Sequence, residues 1–126
     1  MGLTYADLKL TTPFTKQPVG VRAMVHTGAT FMCVTEEIAH QRGFDVTEAC
    51  CQVGRTADGR QAKVPKIAPI EIAFENRSYV TGAVVLGDEP LMGVIPTEAM
   101  DLVIESARER FAVNPAHPNY PVASAK

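Results

Sequence analysis

Val19, Val21, Ala23 and Val25 alternate with Gly20, Arg22 and Met24, the period of two that a strand with one buried face requires. This strand runs directly into His26-Thr27-Gly28-Ala29-Thr30. Small and hydroxyl side chains around a glycine predict a tight loop there, because Gly28 can adopt backbone angles closed to other residues. Phe31 to Val34 then resumes as a short apolar strand. A half-buried strand, a sharp loop and a second strand commit this part of the chain to β structure.

The next segments fit that commitment. Thr35 is a good N-cap, Glu36 and Glu37 favour the positive end of a helix dipole, and Gly43 suits the position after the C-cap, so a helix of about two turns is predicted over Thr35 to Arg42. Residues 44 to 57 and 60 to 74 are extended in character, and Asp58-Gly59 between them signals a two-residue hairpin turn. Pro65 and Pro69 predict that the return arm is broken or lies at a sheet edge. A second hairpin is expected near Asn76-Arg77, followed by a strand from Tyr79 to Leu86 that the Gly87-Asp88-Glu89-Pro90 cluster ends. Leu91-Met92-Gly93-Val94-Ile95 is a short apolar run, and Pro96 opens a predicted helix over 96 to 101. A strand pair around Leu102 to Glu105 and Arg110 to Val113 closes the pattern.

The expected architecture is mainly β, a small closed or sandwich-like barrel with one or two short helices. With 126 residues and 46% apolar content the chain can bury one modest core, and no boundary falls within residues 3 to 113. The domain is therefore set at 1–113. Residues 114–126 form a proline-rich tail, expected to be extended on the surface or disordered.

A net charge of −2, with Lys and Arg scattered singly among the acids, offers no footprint for nucleic acid or an anionic membrane. No basic leader and no apolar window of roughly 18 residues is visible, so a soluble, cytoplasmic protein is expected. Cys33, Cys50 and Cys51 are an odd set without CxxC spacing and read as free thiols in a reducing compartment. Burial is the expectation for Cys33. Met24, Met32, Met92 and Met100 read as core fillers.

The strand ending in Val25-His26-Thr27-Gly28-Ala29-Thr30, followed by Phe31-Met32-Cys33-Val34 and a short helix, resembles the retropepsin-like (retroviral-type) aspartic proteases. Their signature is Asp-Thr/Ser-Gly-Ala/Ser after such a strand, and the match fails only at the acid. Leu91-Met92-Gly93, with Ile95 and a short helix behind it, is similar to that family's second element, an apolar pair and glycine packed beneath the active-site loop. The resemblance spans about residues 15 to 113. It implies a homodimer acting on extended peptide or protein substrates, with one loop contributed by each subunit. It also implies that the hairpin tipped by Asp58 and Gly59 is a substrate-covering flap, and that Ala29 and Thr30 line the substrate site. Thr27 and Gly28 would lock the two loops together.

In that family two aspartates share one proton, one activating water and the other polarising the scissile carbonyl. His26 supplies an imidazole instead, so the resemblance implies an inactive or severely impaired peptidase. No cofactor is required on this reading. Two other readings stay open: a non-catalytic peptide-binding or regulatory module, and a dimer that binds zinc or copper through paired His26, although two protein ligands make a weak site. His40 and His117 carry no ligand spacing and read as surface histidines.

Overall fold

A computed structural model describes residues 4–14, 16–26, 28–46, 50–55, 58–105 and 110–122. In chain order the elements are β1 (Tyr5–Thr11), β2 (Val19–Val25), β3 (Met32–Val34), α1 (Glu36–Gln41), β4 (Cys50–Arg55), β5 (Gln61–Phe74), β6 (Arg77–Val85), β7 (Leu91–Met92), α2 (Val94–Ala99), β8 (Leu102–Glu105) and β9 (Arg110–Val113). Hydrogen bonding runs β1-β2-β7-β3-β6-β5, and β5 returns to β1 through Lys9–Ala73, Leu10–Ile72 and Thr11–Glu71, which closes a six-stranded barrel. β8 and β9 form a separate two-stranded ribbon.

Alternation decides which faces turn inward. In β1, Ala6, Leu8 and Leu10 are buried while Asp7 and Lys9 are exposed. The motif-led sequence reading passes over this strand, yet it is the one that closes the barrel. Leu10, Val34, Ile70, Ile72, Met92 and Met100 retain no exposed surface. Each such side chain contributes about 1.5–3 kcal/mol of transfer free energy. Met32, Met92 and Met100 are core fillers as expected, and Met24 is half-buried.

The predicted first helix forms, with the Thr35 hydroxyl accepting from Ile38 N–H at 3.1 Å and Gly43 at φ +88° just beyond its end. Three expectations are corrected. β5 is not broken: it runs for 14 residues, with β6 along one side from Lys66 to Phe74 and β4, then β1, along the other, so that only its outer part, Pro65 included, lies at an edge with β4 alone beside it. Its proline kink is absorbed where the register with β6 jumps from Ile67 to Ile70, so Pro69 is asked for no ladder bond there. Arg77 is not in the turn. Glu75 at φ +51° and Asn76 make that turn, while Arg77 opens β6 opposite Phe74 and is buried.

The second helix starts at Val94, two residues before Pro96, so the proline sits at the third helical position. It remains within the first turn, where a backbone N–H has no helical acceptor in any case.

At one end of the barrel, the rings of Phe74 and Phe111 meet edge to face with centroids 5.4 Å apart. The tail reaches the same region. Arg77 Nη2 donates to the His117 carbonyl, and Asn76 Nδ2 donates to the Pro118 carbonyl at 2.8 Å. Residues 114–122 are therefore packed on the domain, one of the two outcomes the sequence left open.

Candidate active site

The loop after β2 is held almost entirely by main-chain bonds. β7 runs parallel to β2, pairing Met24 with Leu91 and Val25 with Met92. The ladder continues into the loop, where His26 N–H donates to the Met92 carbonyl at 3.1 Å and Ala29 N–H closes a turn onto the His26 carbonyl at 3.0 Å. The first two N–H groups of α2, which no helical carbonyl can satisfy, donate to the loop: Val94 to Ala29 O at 2.9 Å and Ile95 to Thr30 O at 3.0 Å. Pro96, next in line, has no N–H to place. The helix start thus clamps the far side of the loop.

Gly93 lets these parts meet. A Cβ there would lie 2.5 Å from Phe31 O, 2.7 Å from Ala29 O and 2.7 Å from Thr30 C. The Leu91-Met92-Gly93 element therefore packs against the His26 loop.

His26 is exposed, and its Nδ1 accepts from Gly28 N–H at 2.9 Å. The ring lies over Gly28 so closely that a Cβ at that position would be 2.6 Å from His26 Cε1. An acceptor nitrogen carries no proton, so the neutral ring holds its hydrogen on Nε2. Beside the ring is a hollow of about 160 Å³ lined by Val25, Met92, Val94, Thr97, Glu98 and Ile104. Phe31, Ile95 and Ile104 expose apolar surface on and around this loop and helix, and Lys66 Nζ stands 5.8 Å from the centre of the Phe31 ring.

His26, Gly28, Ala29 and Thr30 are brought together in this one loop, and Gly28 and Thr30 are exposed with Ala29 half-buried. Thr27 lies outside the described residues. Asp58 and Gly59 are not brought to the loop. They tip a two-stranded arm of β4 and β5 that is rooted at the Cys50–Lys66 pair and ends at Arg55–Gln61, five residues or about 17 Å further out. Beyond Lys66 the arm has no other strand beside it. Gly59 takes φ +86° in its turn, and Asp58 Oδ2 accepts from Arg60 Nε at 2.7 Å.

Neither a scan against protein-family models nor a search of curated proteins finds a match. Among solved structures, the chain is similar to a retropepsin-like aspartic protease from Rickettsia conorii, with a TM-score of 0.58 and 25% identity over 83% of this chain and 86% of that one. It is also similar to the retroviral protease-like domain of Ddi1 from Leishmania major, with a TM-score of 0.58 and 17% identity over 98% of this chain and 97% of that one. The fold is retropepsin-like.

Sequence reasoning missed two residues. Asp101, at φ +54° just after α2, gathers the tail: Oδ1 accepts from Asn114 Nδ2 at 3.1 Å, and Oδ2 accepts from Val122 N–H at 3.0 Å and lies 2.6 Å from His117 Nδ1. The Val122 and Asn114 hydrogen bonds, with His117 beside them, hold its carboxyl below the ordinary range. The other is Arg77, buried with Nε and Nη1 meeting no acceptor among the described residues. A lone Asp after a helix and an Arg after a turn carry no sequence signal for such roles. Burial pushes the Cys33 thiol up, in keeping with a structural cysteine, and the side chains of Cys50 and Cys51 lie outside what is described.

Among the described residues no three His, Cys, Asp or Glu side chains cluster as a metal site. No helix among them is long and apolar enough to cross a membrane.

Proposed function

We propose that the chain is a retropepsin-like aspartic peptidase homologue that works as a homodimer on extended peptides, with hydrolysis lost or severely impaired because His26 occupies the acid position. The observation that carries this is the His26 loop itself, fastened to Met92, Gly93 and α2 by backbone bonds while its side chain alone departs from the family pattern. A single loop per chain and the exposed Phe31, Ile95 and Ile104 around it support pairing of two copies across this face. The β4–β5 arm would then cover the bound peptide, with Asp58 and Gly59 at its tip. Cysteine usage is the argument for the cytoplasm.

The shared-proton mechanism requires two carboxylates, and two imidazoles cannot hold that proton between them in the same way. Zinc or copper at paired His26 is the alternative reading of the same residue. A metal needs a nitrogen lone pair, and the Nδ1 lone pair is already engaged by Gly28 N–H while Nε2 carries the proton, so the ring would have to surrender that bond.

The test is a peptide-library cleavage assay of the parent and His26→Asp, each with a sedimentation measurement of mass. The expected outcome is a dimer in both, with cleavage at least about a hundredfold faster in His26→Asp. Comparable rates in the two proteins would remove the impaired-peptidase reading, and a monomeric mass at all concentrations would remove the dimer.

A further inference from the structure

The His26 ring is fixed in one chemical sense. Its Nδ1 is spent on Gly28 N–H at 2.9 Å, and the ring covers the glycine so tightly that a Cβ there would meet Cε1 at 2.6 Å. The neutral side chain therefore presents to solvent a donor, Nε2–H, and no described residue accepts from it. An aspartate at this position presents only acceptors when ionised. The exchange of residue inverts what the loop asks of its ligand.

We propose that this loop recognises a carboxylate, either the side chain of an acidic residue in a peptide or a chain-terminal carboxylate. The inference deepens the peptide-binding reading above and rests on it for geometry: two loops related by a two-fold axis would offer two Nε2–H donors, one for each carboxylate oxygen. A carboxylate is favoured over a peptide carbonyl because a charged acceptor makes hydrogen bonds about twice as strong. Lys66 Nζ, 5.8 Å from the centre of the Phe31 ring where the loop ends, adds a positive charge to the loop's surroundings. Glu98, in the wall of the adjoining hollow, opposes it and makes no ion pair with His26. The apolar remainder of that hollow, Val25, Met92, Val94 and Ile104, suits an aliphatic neighbour of the acid.

The experiment uses the full chain labelled with ¹⁵N-histidine and three short peptides alike except at one place. One carries an internal Glu with blocked ends, one carries Gln in its place, and one carries Gln with a free terminal carboxylate. The free protein should show His26 protonated on Nε2 and bare at Nδ1. The Glu peptide, the free-terminus peptide or both should bind about tenfold more tightly than the blocked Gln peptide and shift the His26 nitrogens. The stronger of the two names the carboxylate's source.

That preference should vanish in His26→Ala, reverse in His26→Asp and grow in Glu98→Gln. A proton on Nδ1, equal affinities for all three peptides, or a preference that survives in His26→Ala would each overturn the proposal. Sedimentation of the same samples separates the two readings. A dimer that binds all three peptides equally sinks the carboxylate inference alone, whereas a monomer that keeps the preference sinks the dimer and sustains the inference.

Discussion

Replacing Gly93 by alanine tests whether the β7–α2 corner holds the His26 loop as described. The new Cβ would sit 2.5–2.7 Å from Phe31 O, Ala29 O and Thr30 C, all backbone atoms that cannot rotate aside. Reaching ordinary contact at 3.4 Å means opening the corner by about 0.7–0.9 Å. Overpacking of this kind costs about 1–3 kcal/mol. The same opening stretches the Val94–Ala29 and Ile95–Thr30 bonds, now 2.9 and 3.0 Å, beyond useful range, with a net loss of about 1 kcal/mol each. The expected total is about 3–5 kcal/mol, a large share of the roughly 5–15 kcal/mol that holds a domain together.

Urea unfolding followed by circular dichroism measures this, at one fixed protein concentration because any association adds to apparent stability. Two glycines calibrate it. Nothing lies within 4 Å of a Cβ at Gly20, so Gly20→Ala should stay within about 0.5 kcal/mol of the parent. At Gly28 the obstructing atom belongs to the His26 ring, which can swing away, so Gly28→Ala should cost about 1 kcal/mol, the worth of one hydrogen bond. That cost should disappear in a His26→Ala background. A Gly93→Ala protein within about 1 kcal/mol of the parent, at an unchanged denaturant slope, would refute the clamp.

Single groups elsewhere in the fold give three more expected outcomes. Arg77→Met should cost no more than about 1 kcal/mol, since it removes a buried cation with two donors unpartnered, whereas Arg77→Ala should cost about 2–4 kcal/mol through the cavity it leaves; a larger loss for Met than for Ala in urea unfolding would contradict this. The Asp101 carboxyl is held below its ordinary value of 3.8, so its contribution is fully present above that value and is lost as pH falls through the lower folded one. Melting temperature scanned from pH 6 to pH 2.5 should therefore fall less steeply at the acid end in Asp101→Asn than in the parent. Thr35→Ala removes the hydroxyl that accepts from Ile38 N–H and should cost about 1 kcal/mol, restored by Thr35→Ser, in the same unfolding assay.

The elements that sequence reading located share a property: their signals are local. Alternation in Val19–Val25, the Thr35 cap with Gly43 behind it, and Asp58-Gly59 each specify structure within a few residues, and each lies where it was expected. What escaped depends on partners distant in sequence. β1 alternates as clearly as β2, but its importance comes from pairing with β5, 60 or more residues away. The start of α2 moved to Val94 because its first N–H groups find acceptors in a loop that precedes it by about 65 residues, a tertiary bond that outweighs the preference of proline for the first helical position. Arg77 looked like a turn residue because polarity predicts exposure, and it is buried because the tail carbonyl of His117 comes back to meet it.

The candidate site divides along the same line between main chain and side chain. His26 N–H, His26 O, Ala29 O and Thr30 O are the atoms that fix the loop, and any residue at position 26 has the first two. The side chain there makes one hydrogen bond, from Gly28 N–H to Nδ1, and that acceptor role is one a carboxylate oxygen can also fill. The fold is thus indifferent to the residue on which the family's chemistry depends, which explains how a retropepsin-like scaffold can carry an imidazole there at little structural cost. The same indifference makes His26→Asp a clean experiment: its unfolding free energy should match the parent's within about 1 kcal/mol, so that activity gained or not gained reports chemistry alone. A His26→Asp protein destabilised by several kcal/mol would show instead that the loop has adapted to its histidine.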